Sequence, residues 1–286
     1  MVEKISAHGA EARELATRLL QRARLADPIG GIWEAADVQW WWRQPRASDI
    51  VDQPFWLDDQ GPIAGVLMTS WRDDRWQCDP VVVPSIPEID PERVWGHARD
   101  LIHRHARGVI EVNLRDDDPS VTDMVADLGL SPGGQWTITW MDAQDRPAPR
   151  SPAEGFTIVD RDLRDGSPHP MGVRNGPAIV ERLDECSLYE PRLDIAVETD
   201  DGHPAGYALY WFDPVTRVGY VEPMRVEDEF QRLGLATAML TEGLERLASR
   251  GAERLKILHD SEAAAAVYQG VGFRTAATVT TYQAAL

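Results

Sequence analysis

Lysine is nearly missing from this chain of 286 residues: Lys4 and Lys256 are its only two, and the other basic side chains are arginine. That scarcity reads as a coding bias of the source and carries no mechanism. Cysteine is as rare. Cys78 and Cys186 stand far apart, with no Cys-x-x-Cys and no histidine at ligand spacing, which argues against a disulfide scaffold or a zinc site and leaves two buried thiols. His103 and His105 lie two apart on a helical stretch and point in different directions, so no shared metal is expected there or elsewhere. No apolar run approaches the length of a bilayer span. The opening residues 1–20 read as an amphipathic helix with no signal-peptide pattern, so the expectation is a cytoplasmic protein without a membrane partner. Positive charge is also in deficit, the net charge being −18. Duplex binding draws its affinity from clustered Lys and Arg, so a nucleic-acid partner is not expected and any anionic ligand must be held locally. The acidity itself serves solubility or draws cationic substrates.

What is present fits an ordinary globular protein, with 43% apolar and 27% charged residues. The length exceeds one usual domain and points to two similar units. In the first, a helix is expected over 9–25, strands over 54–57, 63–71 and 76–83, and a helix over 91–107 that opens on Pro91 and stops before Gly108. A strand over 109–113, a helix from Ser120 to Leu128 and a strand over 135–141 complete it. Three prolines interrupt residues 143–155 and place a boundary there, giving units 1–145 and 155–286 about a linker 146–154. The second half repeats the order: a strand over 156–160, a helical region near 177–186, then strands over 193–198, 204–212 and 219–226. A helix to about Arg250, a strand over 255–258, a helix from Ser261 through Tyr268 and a strand over 276–282 follow. GPIAGVLMTSW and GHPAGYALYW rhyme across the halves, each after an acidic turn, as divergent duplication would leave them.

The stretch EDEFQRLGLATAML, residues 227–240, sets a glycine at the mouth of a helix. A strand, a short glycine-bearing loop and a helix make an anion site, because first-turn amides lack partners and the helix dipole favours negative charge. Gly234 then leaves room for a phosphate, with Leu233 and Leu235 turned inward and Gln231 and Arg232 reaching out. A glycine serving only a tight turn is the other reading. No Gly-Lys-Ser/Thr and no three-glycine dinucleotide pattern accompanies it.

Gln231-Arg-Leu-Gly-Leu-Ala236 resembles the Gln/Arg-x-x-Gly-x-Gly/Ala motif of the GNAT superfamily of acyl-CoA-dependent N-acetyltransferases. The preceding Glu222-Pro-Met-Arg-Val226 and the distal Ala266-Val-Tyr-Gln-Gly-Val-Gly-Phe273 resemble the family's other two landmarks, in order. Ser261 stands where the family commonly has Asn. The resemblance covers about residues 155 to 286. It implies an α/β fold of two tandem GNAT-like domains, each a mixed, mostly antiparallel central sheet flanked by helices. It also implies acetyl-CoA as cosubstrate, held by Gln231, Arg232, Leu233, Gly234, Leu235, Ala236 and Thr237 at the pyrophosphate. Met224, Arg225 and Val226 would lie along the pantetheine arm, and Ser261 beside it.

Amide formation needs a neutral amine, yet an alkyl amine titrates near 10.4, so a base must take a proton. Glu222 is the candidate, directly or through a water, sharing one face with Tyr220, Met224 and Val226 if the strand is regular; a bulge would change that. A solvated strand-end residue is the alternative. By the resemblance, Tyr268 is the acid that protonates the leaving thiolate; otherwise it is a packed core tyrosine. Neither cysteine lies in a landmark, so attack is expected to be direct, in a ternary complex with a small-molecule or peptide amine. A non-catalytic acyl-CoA sensor and an O-acyltransferase remain alternatives, and the acceptor, the acyl chain and the oligomeric state are not legible.

The first half lacks these devices. VVVPSIPEIDPERVWG has prolines and no glycine before its helix, and aligning Leu128-Gly129-Leu130 on Val271-Gly272-Phe273 sets Val125 opposite Tyr268. A degenerate domain is implied, resembling in architecture tandem GNAT proteins of the mycothiol-synthase type. Trp40, Trp41 and Trp42 form a packed cluster, or line an acceptor pocket or an interdomain seam.

Overall fold

The computed structural model describes residues 2–72, 74–118, 125, 128–164 and 168–286. The chain forms two compact units, and their composition departs from the expected boundary: the first holds Met1–Trp136 with Ala277–Leu286, the second Thr137–Ala276. The proline-rich stretch 146–154 therefore lies inside the second unit. Non-local strand pairing, described below, moves the division away from it.

The first unit opens on β1 (Glu3–Ala7), followed by α1 (Gly9–Ala26) and α2 (Ala35–Trp41). A helix over residues 1–20 was expected, but Glu3–Ala7 pair antiparallel with β2 (Gln53–Asp58), and only from Gly9 onward is the chain helical. β3 (Gly61–Ser70), β4 (Arg75–Val82), α3 (Pro91–His105) and β5 (Val109–Arg115) follow. The expected helix from Ser120 lies outside the described residues except at Val125 and Leu128.

The sheet runs β1-β2-β3-β4-β5 and ends on Val279–Ala285 of the chain's last strand, β12 (Arg274–Ala285), antiparallel to β5. All pairs are antiparallel except β4 with β5. Trp95, Ala98, Leu101 and Ile102 of α3 bury one face with Val66, Met68 and Cys78. Gly65, on the other face, meets Leu19 of α1. By register, Leu67, Thr69, Gln77 and Asp79 share that α1 face.

The tryptophans form a packed cluster within this unit. Trp41 meets Trp33 edge-on at 5.0 Å and Trp71 at 6.2 Å, and Arg43 stacks 4.1 Å from the Trp40 ring centroid.

The second unit begins with the end of β6 (Ser131–Asp142) and β7 (Phe156–Asp160), then two short helices, α4 (Gly172–Asn175) and α5 (Ile179–Asp184). It continues with β8 (Asp194–Thr199), β9 (Pro204–Asp213), β10 (Val218–Val226), α6 (Leu235–Ser249), β11 (Arg254–His259) and α7 (Glu262–Val271). Its sheet runs β6-β11-β10-β9-β8-β7, with β10 and β11 parallel and the other pairs antiparallel. The α6 stripe of Leu235, Met239, Leu240, Leu244 and Leu247 packs with Tyr210, Val221, Leu255 and Ile257. Gly243 is required in that helix: a Cβ there would lie 2.1 Å from the Tyr210 ring, whose hydroxyl donates to the Met239 carbonyl at 2.7 Å. On the opposite face the rare Lys256 is fully buried, opposite Tyr220 in register, with its Nζ 5.3 Å from the Trp140 ring centroid.

Each unit thus takes one strand from the other half of the sequence. A fragment of residues 155–286 would lack Thr137–Asp142, which pair along the whole of β11, and would carry the end of β12 without β5. Two unpaired hydrophobic edges promote association. Such a fragment is expected to elute in the void volume on size exclusion, whereas residues 137–276 elute as a discrete species; a monodisperse, cooperatively melting 155–286 would contradict this strand assignment.

Candidate active site

The site forms where the two parallel strands of the second unit part. β10 and β11 pair from Val218 opposite Arg254 to Val221 opposite Ile257, and no described pairing continues beyond. β10 stays paired with β9 through Val226, but its register slips between Val221 and Met224, the mark of a bulge. The strand is therefore not regular, and the shared face that a regular strand would have given Tyr220, Met224 and Val226 is not formed. Tyr220 lies opposite Trp211, while Met224 and Val226 lie opposite Ala208 and Gly206 and so join the α6 face with Val221. Glu222 sits in the bulge, partly exposed, its carbonyl accepting from the Trp211 indole at 2.7 Å.

Tyr268 enters from α7, buried beside Phe273 and Val271. Burial raises its phenol pKa above the usual range, and the negative charges of Glu222 and then Asp260 raise it further. Glu222 and Tyr268 are therefore close enough to be electrostatically coupled, and the phenol keeps its proton across the physiological range.

The glycine loop opens α6, as both readings of Gly234 require. Gly234 caps α6 in the left-handed region, φ 78°, with no side-chain cap and nothing within 4 Å of where a Cβ would stand. The ladder of α6 starts with the Ala238 amide donating to the Gly234 carbonyl, so the amides of Leu235, Ala236 and Thr237 precede it. Arg232 is also left-handed, φ 68°. Leu235 is buried, but Leu233 is 45% exposed, contrary to its expected inward turn. The left-handed residues on either side of Leu233 account for this, since they rotate it out of the stripe.

Other expected contacts are engaged elsewhere. Arg225 donates to Glu227 at 3.3 Å and Asp228 at 3.2 Å, and Gln231 donates to Asp228 at 3.1 Å. Ser261 caps α7, accepting from the Ala264 amide at 3.3 Å.

One residue was missed. His259, the last residue of β11, lies 6.0 Å ring to ring from Tyr268, and its Nε2 is buried without a hydrogen-bond partner. Burial lowers its pKa, partly offset by Asp260. Its position at the carboxyl end of a parallel strand, where open α/β sheets place their ligands, was the available signal.

The first unit offers a contrast. Asp90 caps α3 and accepts from the Glu92 amide at 3.0 Å, so a carboxylate already occupies the helix mouth where a phosphate would bind. Val125 packs against that unit's core. Both cysteines are buried and free, and no group of ligating side chains that could hold a metal occurs among the described residues. No described helix is long and apolar enough to cross a membrane.

Residues 156–273 match the model of the acetyltransferase (GNAT) family, so the chain carries a GNAT acetyltransferase domain over that span. Solved structures share the fold over almost its whole length. A tandem GNAT protein from the clavulanic acid biosynthesis pathway superposes with a TM-score of 0.68 at 15% identity, covering 99% of this chain and 98% of that one. A GCN5-related N-acetyltransferase from Sphaerobacter thermophilus superposes at 0.63 and 17% identity, covering 99% and 95%. One from Kribbella flavida superposes at 0.56 and 15%, covering 92% and 95%. No curated protein matches the chain significantly in sequence. The fold is one that supports acyl transfer, and the family typically uses acetyl-CoA.

Proposed function

We propose that the protein is a cytoplasmic N-acetyltransferase that moves the acetyl group of acetyl-CoA to a primary amine of a small molecule or peptide. The observation that carries this reading is the uncapped, glycine-led mouth of α6 beside the parting of β10 and β11, with Glu222 and Tyr268 coupled in the same region. The amides from Arg232 to Thr237 receive the pyrophosphate, the Gln231 amide being bonded to the Asp228 carbonyl, and Met224 to Val226 run beside the pantetheine arm. Backbone donors let an acidic protein hold an anionic cofactor without a basic surface.

Glu222, directly or through a water, takes a proton from the amine, whose nitrogen then attacks the thioester carbonyl. A C–N bond forms and the C–S bond breaks; the thiolate takes the Tyr268 proton and leaves as the thiol, the second proton shed by the nitrogen as it becomes an amide restores the phenol through solvent, and Glu222 returns the first to water. Glu222→Gln tests the base. At pH 7 the variant is expected to lose about 100-fold in kcat. The loss should shrink as pH rises, because the free-amine fraction grows about tenfold per unit below a pKa near 10.4. A pH-independent loss would assign Glu222 to acceptor binding instead.

A further inference from the structure

Beneath α1 the first unit holds a small cavity that acyl transfer does not use. Its volume is about 60 Å³, room for a few water-sized atoms and far too little for a coenzyme. The wall is built by α1, α2, the short turn Ala47–Ile50, and β2 and β3 at Gln53 and Leu67–Thr69. No described residue of β4 or β5 lines it.

The polar groups of that wall are mostly donors. Arg46 donates from Nε to the Trp41 carbonyl and from Nη1 to the Ser70 carbonyl, both at 2.7 Å, and lies 4.3 Å from the Trp71 ring centroid. Its Nη2 is buried without a hydrogen-bond partner. The Ser48 hydroxyl accepts from the Ser70 amide at 3.0 Å and from the Ser70 hydroxyl at 3.5 Å, which leaves its own proton to donate. Thr69, 4% exposed, brings a second hydroxyl to the same wall.

Charge points the same way. Two arginines, Arg13 and Arg46, line the cavity with one acid, Asp49. Asp49 is engaged by the turn it belongs to, accepting from the Arg46 amide at 3.1 Å, and Arg13 stacks 4.9 Å from the Trp42 ring centroid. Burial above all, then Arg43 and less strongly Arg72, holds the Arg46 pKa below its usual range, against the opposite pull of Asp49. The guanidinium keeps its proton even so, and stands as a partly buried cation short of one acceptor.

We infer that this cavity is a binding site for a small monovalent anion, a halide or a carboxylate no larger than acetate, held by Arg46 Nη2 with the hydroxyls of Ser48 and Thr69. A cation would face Arg13 and Arg46, and an apolar guest would leave Nη2 as it stands. A dianion would bring more charge than one guanidinium edge beside Asp49 can hold. The bound ion joins α1, α2 and β3 to the turn between them, so it stabilises the first unit independently of acyl transfer.

The test uses the full chain in sodium gluconate, whose anion is too large for the cavity, with chloride added and its NMR linewidth followed. Excess broadening is expected to titrate with a Kd of about 10 mM, the scale of one charge-assisted hydrogen bond, and to be displaced by formate. At equal ionic strength, about 150 mM chloride should raise the melting temperature by about 3 °C over gluconate. Arg46→Met is expected to abolish both effects. Thr69→Val keeps the shape of its side chain and should weaken chloride by about fivefold, which decides the matter if Arg46→Met does not fold. Gly234→Val, altered at the helix mouth proposed for the coenzyme, should leave both effects intact. No broadening, equal melting in the two salts, displacement by gluconate, or loss in Gly234→Val alone would each overturn the assignment. So would unchanged chloride binding in Arg46→Met, or in Thr69→Val where Arg46→Met does not fold. Formate binding more tightly than chloride would mark a carboxylate as the occupant, and the reverse a halide; either result sustains the site.

Discussion

Tyr268→Phe is expected to lower kcat by about 100-fold while leaving the KM for acetyl-CoA within about twofold. The phenol is buried, and burial together with the charges of Glu222 and Asp260 raises its pKa. A raised acid pKa keeps the proton on oxygen at every pH where the amine is assayed, so wild-type kcat should show no alkaline loss attributable to Tyr268 below about pH 10. The leaving thiolate receives that proton, and phenylalanine fills the same space without supplying it. Steady-state kinetics with a fixed amine separate the two roles. If kcat is unchanged and the melting temperature falls, Tyr268 is only a packing residue against Phe273 and Val271.

The second large effect concerns Gly234. Gly234→Val is expected to raise the KM for acetyl-CoA by tenfold or more, through a side chain at the helix mouth and about 1 to 3 kcal/mol of strain at a positive φ. Gly234→Asn separates cradle from turn. Asparagine tolerates the left-handed region, so this variant should melt within about 3 °C of wild type. Its side chain still occupies the open space above the amides of Leu235 to Thr237, so the KM should stay raised by about tenfold. Should Asn restore both properties, the glycine serves only the turn, and the pyrophosphate must be held elsewhere.

Much of this architecture was legible because it rests on local periodicity and punctuation. Pro91 at the start of α3, Ser261 before α7 and Gly234 at the mouth of α6 are decided within a few residues of chain, and the structure has all three where the sequence put them. β1 was not legible, because Glu3–Ala7 is short and its apolar residues blend into the amphipathic pattern of the helix that follows. The bulge at Glu222 was foreseeable only as a condition, since one extra residue changes which side chains share a face without leaving a periodic trace. His259 draws its character from burial, and its place at the carboxyl end of β11 was the one signal the chain gave of it. The exchange of strands was invisible: the prolines at 147, 149 and 152 mark a flexible stretch, but pairing partners decide what that stretch divides.

That exchange also constrains the order of biosynthesis. Synthesis proceeds from the amino end, and domains commonly fold as they emerge. Here the strand that closes the sheet of Glu3–Arg115 is Val279–Ala285, so that sheet waits on a strand made only after the whole of the second unit. Until then β5 presents a bare edge. A ribosome stalled between residues 115 and 279 would hold an incomplete first unit, and the nascent chain is a candidate client for chaperones until that strand emerges.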